Sequence, residues 1–444
     1  MRNRFTWLLI GYAFLSGTVV YGQDTLKSTV MTLPQVLQLA VKNSVQLKVS
    51  KTETTLAHQQ IEITKLGRLP GISTNLDYGY ISNAQIWTPS LSEHEVGAIP
   101  HHYTQFVTEA AEEVFKGGEI NNEIRKAGLE EQIAVLSLEK NTEDIKFLIA
   151  GQYLDIYRSI NLRQVYVNNA KLAENQLKNI LTMERQGMVT ENDVLRTRLT
   201  LSDLQLAIRK TDNNIAILND QMNMILGLPA NIRLYPDTTI LRRATTTSDV
   251  DSFIETGEQE NHELKISRTK VKVAETNLKL LGSDRYPSLS LYAGSALQRP
   301  FLYNIPSIDV YYNIWQAGLT IHYNISSIYQ SPRKITAGRI ELEESKQNDL
   351  LAHQNEQTDV RVRFTQYKQA EDELSTSRSD LKSAEENYRI VEKKYFNQLA
   401  LLTDLIDATN TKIDAETKVT NAQINKVYAY FLLLKASSGS IGIN

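Results

Sequence analysis

The sequence predicts a mostly α-helical protein with a small β part, built as two copies of one elongated unit. Three observations lead there. Of the ten prolines in 444 residues, none lies between 101 and 228 or between 333 and 444, and residues 339–438 hold neither glycine nor proline. The mean helix of a globular domain is about 11–12 residues, so these stretches ask for helices several times longer. Second, QLKVSKT at 46–52 returns as ELKISRT at 263–269, with four identical and three conservative positions. The same offset of 217 carries Pro70 onto Pro287. Third, four segments alternate polar and apolar residues with the period of two that marks a strand with one apolar face.

The elements follow in order. Residues 1–22 read as a secretory signal peptide: Arg2 and Arg4 precede a short apolar core from Trp7 to Val20, and Val20 and Gly22 suit the cleavage site before Gln23. The first repeat occupies 23–228. Thr32 and Gln35 form a capping box that opens a helix over about 33–69. Strands follow over about 71–82 and 103–115. Gly117 and Gly118 open a long helix over 118–186, which Gly187 stops. Thr190 and Asp193 make a second capping box for a return helix over 190–227. Residues 229–250, with Pro229, Pro236 and a TTTSD stretch, form the inter-repeat linker. The second repeat, 251–444, has helices over about 251–284, 333–397 and 401–438 and strands over about 288–297 and 310–325. Asp193-Val-Leu aligns with Asp404-Leu-Ile at an offset of 211.

In each repeat the two shorter helices together match the long one, which suggests that they stack end to end along it. At about 1.5 Å per residue the long helices reach on the order of 100 Å, too long to be sheathed by anything but other helices. Val360, Tyr367, Leu374, Leu381, Tyr388 and Tyr395 recur every seven residues, beside a row of Ala370, Ser377, Ala384 and Val391. A sevenfold repeat implies a left-handed coiled coil, and the small row allows close approach.

The strand segments are long enough for tilted membrane strands. Tyr78, Tyr80, Trp315 and Tyr323 are expected in an aromatic girdle, and Trp87, Tyr103, Tyr311 and Tyr312 cluster with them. After Gly22 no run of 18 apolar residues occurs, so entry into a membrane requires a closed barrel. Four strands cannot close one, since the range begins at about eight. Two or three chains would have to pool their strands.

Composition narrows the function. No cysteine is present, which excludes disulfides, thiolate metal sites and cysteine catalysis. A formal charge of −3 argues against nucleic-acid binding. There is no Walker loop, dinucleotide glycine pattern, HExxH or nucleophile elbow. His101-His102 reads as a loop at a strand start rather than a metal site. No catalytic residue, cofactor or metal is expected.

The pattern resembles the TolC family of outer-membrane efflux ducts. The matching segments are TLPQVLQLAVKN at 32–43, the Leu69-Pro70 and Tyr286-Pro287 strand starts, VFKGG at 114–118, GQYLDIYRS at 151–159, QGMVTENDVL at 186–195, ILGLP at 225–229 and KKYFNQLALLTDLIDATNT at 393–411. The resemblance implies a homotrimer in outer-membrane lipid, with a twelve-stranded transmembrane β-barrel and a long α-helical coiled-coil tunnel through the periplasm. It implies a passive duct for tripartite efflux or type I secretion, recruited by a periplasmic adaptor and an inner-membrane pump. Asp404 and Asp407 match the acidic pair that rings the closed entrance, and their i, i+3 spacing puts both on one side of a helix. Asp193 and Tyr395 match a closed-state latch. Ala400 stands where an arginine partner is expected and Gln398 where a glycine is expected, a departure that bears on the ionic half of the latch. Gly187, Met188 and Val189 match one adaptor-contact tip; Leu399, Ala400 and Leu401 form its counterpart. The competing class is a periplasmic coiled-coil adaptor, which also carries long hairpins. The duplication and the aromatic-rich strands speak against it.

Overall fold

A computed structural model describes residues 27–237, 249–304 and 306–441. The expected signal peptide falls outside them, as do residues 238–248 of the expected linker. The chain runs through β1 (Lys27–Met31), α1 (Leu33–Asn43), α2 (Val45–Lys65), β2 (Gly71–Tyr80), β3 (Ala84–Trp87), β4 (His94–Gly97), β5 (His102–Lys116), α3 (Glu119–Arg185) and α4 (Glu191–Leu226). It continues through β6 (Ile232–Pro236), α5 (Val250–Glu260), α6 (His262–Ser283), β7 (Ser288–Arg299), β8 (Tyr312–His322), α7 (Ser327–Phe396) and α8 (Leu402–Ser438).

The helices expected over 33–69 and 251–284 are each two helices. The breaks fall at Ser44 and Asn261, 217 residues apart, with ψ near 122° and 123°. Each break residue turns the backbone out of the helical region and then caps the next helix: Ser44 Oγ accepts from Leu47 N–H (3.4 Å) and Asn261 Oδ1 from Glu263 N–H (2.8 Å). Ser and Asn offer this oxygen readily. The helix expected from 333 starts at Ser327, with Pro332 inside its second turn, where the missing N–H costs one bond rather than the helix. The segment 229–250, expected as linker, contains β6, which pairs in parallel with β1 from Lys27↔Ile232 to Met31↔Pro236.

The long helices α3 and α7 have 67 and 70 residues. Shorter helices sheathe each of them in two lengths. Beside one half of α3 runs α2, with Asn141 Nδ2 donating to Ser50 Oγ (2.8 Å) and Arg68 to Asn121 (2.8 Å). Beside the other half runs α4, with Arg163 on Asp212 and Asn214 on Ser159. In the second repeat α6 and α8 divide α7 in the same way. The seam residues Val360, Tyr367, Leu374, Tyr388 and Tyr395 are buried. The two repeats meet through α3, which packs on α6 and α8: Lys140 pairs with Glu263 (2.6 Å) and Asn169 donates to Glu416 (2.6 Å). The lateral order is therefore α2 with α4, then α3, then α6 with α8, then α7.

The largest core among the described residues lies at the middle of α3, where Leu33, Val36 and Leu37 of α1 meet Ile149, Tyr153 and Leu154 of α3, Met222 and Leu226 of α4, and Leu234 of β6. The Tyr153 hydroxyl donates to Met31 O (2.8 Å) and accepts from Asp237 N–H (2.7 Å). Burial pushes this phenol up to about 12, which keeps it a donor to the β1–β6 pair. Among the described residues no helix is long and apolar enough to cross a membrane.

Candidate functional site

The α3–α4 and α7–α8 hairpins end in turns of one geometry. Gly187 has φ +69°, its N–H donates to Glu184 O (2.9 Å), and Met188 N–H donates to Met183 O (2.9 Å). Gln398 has φ +62°, its N–H donates to Tyr395 O (2.9 Å), and Leu399 N–H donates to Lys394 O (2.8 Å). These are Schellman-type stops with a left-handed residue at the turn. After the first turn, Thr190 N–H donates to Asp193 Oδ2 (2.9 Å) and Asp193 N–H to Thr190 Oγ1 (3.4 Å), so both halves of the box are made. After the second, Leu401 N–H donates to Asp404 Oδ2 (2.9 Å), but leucine has no oxygen to return the bond. Asp404 therefore caps its own helix. Asp407 lies one turn on. Both carboxylates are exposed, and among the described residues neither has a cationic partner.

The latch pair is brought together without a bond. Tyr395 is 4% exposed, in a cluster with Ile180, Val194, Leu402 and Leu405 that ties the two tips together. Among the described residues its hydroxyl has no hydrogen-bond partner. Burial, and then the nearby Asp193 charge, push it up to about 12. The Asp193 carboxylate is taken by Thr190, whose hydroxyl also donates to it (3.0 Å). A link that sequence reasoning missed lies two turns up: Gln176 Nε2 donates to the Tyr388 hydroxyl (2.8 Å), joining α3 to α7. Its only sequence signal was the place of Tyr388 in the sevenfold seam. Of the tip residues, Met188, Leu399 and Leu401 are exposed, while Val189 and Ala400 pack against the cluster.

At the other end, β2, β5, β7 and β8 form one antiparallel sheet in the order β2-β5-β7-β8. The register sorts its two faces. Leu76↔Phe106, Phe106↔Leu297, Leu291↔Leu319 and Leu289↔Ile321 put the apolar residues of all four strands on one face. Tyr78, Tyr80 and Trp315 stand on it, heavily exposed. Asp77, Gln105, Glu109, Gln298, Gln316 and Thr320 occupy the other. On that polar face the Tyr103 ring covers Gly79, where a Cβ would come within 2.3 Å of it, and the Tyr292 hydroxyl covers Gly318 at 2.9 Å. Large residues laid over glycines suit the concave side of a curved sheet. Tyr103 and Tyr312 thus lie on the polar face, away from the other aromatics grouped with them in the sequence. Trp87 sits in the β3–β4 hairpin, stacked on His94 at 4.6 Å. Tyr323 lies just past β8, beside Arg285 and Ile328. No group of three or more His, Asp or Glu suited to a metal occurs among the described residues.

Paired helical hairpins about 100 Å long thus continue into an open sheet with one apolar face. Residues 254–436 match the family model described as outer membrane efflux protein. The fold is similar to that of the outer-membrane channel OprN (TM-score 0.75, 12% identity, 92% of this chain and 90% of that one). It is also similar to VceC from Vibrio cholerae (0.74, 12%, 92% and 96%) and to the CmeC channel of Campylobacter jejuni (0.72, 15%, 92% and 85%). No curated protein sequence matches the chain. The second repeat thus matches the outer membrane efflux protein family, and the whole chain shares its fold with solved outer-membrane channels.

Proposed function

We propose that the chain is the passive outer-membrane duct of a tripartite efflux or type I secretion assembly, working as a homotrimer. The observation that carries this is the agreement of its open edges. The sheet ends in β2 on one side and β8 on the other, and neither outer edge is paired among the described residues. The helical layer ends in α2 with α4 on the β2 side and in α7 on the β8 side. Both free helical edges carry exposed apolar rows: Val45, Val49, Leu56 and Ile63 on α2, Leu195, Leu199 and Leu206 on α4, and Ile340, Leu351 and Val362 on α7. A rotation about one axis joins β8 to β2 and α7 to α2 and α4 at once, satisfying strand edges and apolar rows together. Three copies give twelve strands, within the range of closed barrels. The face with Leu76, Phe106, Leu319 and Ile321 then meets lipid, with Tyr78, Tyr80, Trp315 and Tyr323 toward the interfaces, and the polar face lines the lumen. The chain holds an outer-membrane position with its helical tunnel in the periplasm.

At the far mouth, Asp404 and Asp407 from three chains form the aperture and favour cations. Asp193 and Tyr395 hold the closed state by packing. Gly187, Met188, Val189, Leu399, Ala400 and Leu401 meet the periplasmic adaptor, through which the inner-membrane pump is engaged. Two measurements test this. In mild detergent the protein runs as a trimer; a stable monomer contradicts the edge argument. In planar bilayers, Asp404→Asn with Asp407→Asn raises conductance and weakens cation preference while keeping the oxygen that caps α8. Unchanged selectivity removes the acidic aperture. Recovery in the soluble or inner-membrane fraction would favour an adaptor instead.

A further inference from the structure

The described residues of the connection from β7 to β8, 300–304 and 306–311, lie at the end of the sheet away from the helices. Its base is pinned. The Arg299 guanidinium donates to both oxygens of Asp309 (2.7 and 2.9 Å), and Phe301 and Ile308 exchange backbone hydrogen bonds (2.8 and 3.1 Å). The pinned loop carries aromatic rings. Phe301 stands edge-on to Tyr312 at 4.9 Å between centroids, and Tyr303 lies 5.5 Å from Phe301 and 6.4 Å from Tyr312. Tyr312 pairs with Gln298, so it belongs to the polar face. A cavity of about 230 Å³ is lined by Val107, Glu109, Gln298, Ile314 and Gln316, all on that same face, and by Tyr303. The loop therefore folds back over the polar face. Tyr303, 76% exposed, projects into the space which that face bounds.

We propose that Tyr303, backed by Phe301 and Tyr312, is a specificity-determining aromatic collar at the outer mouth of the duct. It rests on the duct reading, in which the polar face is the lumen. Three copies set three Tyr303 rings around one axis, above a wall bearing Asp77, Glu109 and Glu113. Ring faces attract cations, most strongly organic ones shed of water, and carboxylates on the wall concentrate them. The collar narrows the exit and retains bulky organic cations, at the opposite end of the chain from Asp404 and Asp407.

The absence of cysteine allows a clean test. Tyr303→Cys is reconstituted as the full protein in planar bilayers and exposed from the loop side to a bulky methanethiosulfonate reagent, with labelling checked by mass. Conductance falls on modification, while a Ser90→Cys control in the β3–β4 turn is labelled without effect. Tyr303→Ala raises conductance and weakens block by tetrabutylammonium several-fold. Complete labelling with unchanged conductance overturns the collar, and so does a thiol that resists the reagent. If neither the wild-type protein nor the Asp404→Asn, Asp407→Asn variant opens a channel, the duct reading falls, and the collar with it.

Discussion

The two helical hairpins end in turns with the same backbone and different residues. The first has what such a turn favours: Gly187 at the left-handed position, then Thr190 and Asp193 as a complete capping box. The second puts Gln398 in the left-handed region and Leu401 where the capping hydroxyl would be. A residue with a Cβ pays about 1 kcal/mol or more for that conformation, and a missing cap costs about 1 kcal/mol. Leu399 and Leu401 are also left 76% and 70% exposed. The backbone follows the duplication and the packing of the helices beneath. The residues of the second tip are locally unfavourable, and of its capping box the half from Leu401 N–H to Asp404 is made while the return bond is lost. That combination points to a surface chosen for the assembly.

The comparison can be broken at its functional end first. Leu399→Asp with Leu401→Asp lowers adaptor affinity about tenfold or more, about 1.4 kcal/mol, as expected for central apolar contacts. Met188→Asp on the first tip has a smaller effect. Calorimetric titration with the cognate adaptor measures both, with trimer size as the control, and equal losses at the two tips would erase the asymmetry. Next comes the strain. Gln398→Gly raises stability by about 1 kcal/mol and Gly187→Gln lowers it by a similar amount. Thermal melts, or hydrogen exchange at the tips, would expose the idea as wrong if the two substitutions moved in the same direction. Leu401→Thr, which restores the cap, adds about 0.5–1 kcal/mol, read in the same melts. The smallest effect is at Tyr395. Because its hydroxyl has no partner among the described residues, Tyr395→Phe is neutral or stabilising within about 1 kcal/mol. A rise in resting conductance for that variant would reveal a latch bond to Asp193 that forms only in the closed trimer.

Much of the architecture was legible in the residues. The offset of 217 marked the duplication, and it also marked a detail passed over, because Ser44 and Asn261 break their helices at equivalent places. The β1–β6 pair was not legible. KSTVM and IRLYP are five-residue strands some two hundred residues apart, and neither has an alternation strong enough to read. At the tip, the spacing of Asp404 and Asp407 was plain, while the capping role of Asp404 depends on where α8 begins. In the sheet, the alternation separated two kinds of side chain within each strand. It could not assign Tyr103 and Tyr312 to the polar face, because that follows from register, and a one-residue slip exchanges the faces.

The sequence by itself determined the duplication, the great length of the helices, the sevenfold seam of α7, the two-residue alternation of the strands and the cysteine-free chemistry. These are local periodicities, written in consecutive residues. Only the tertiary structure decided which strands and helices stand at the free edges, which residues share the polar face of the sheet, and that the β7–β8 loop lies over that face. Those features depend on pairings between residues far apart in the chain, and no local pattern encodes the partner.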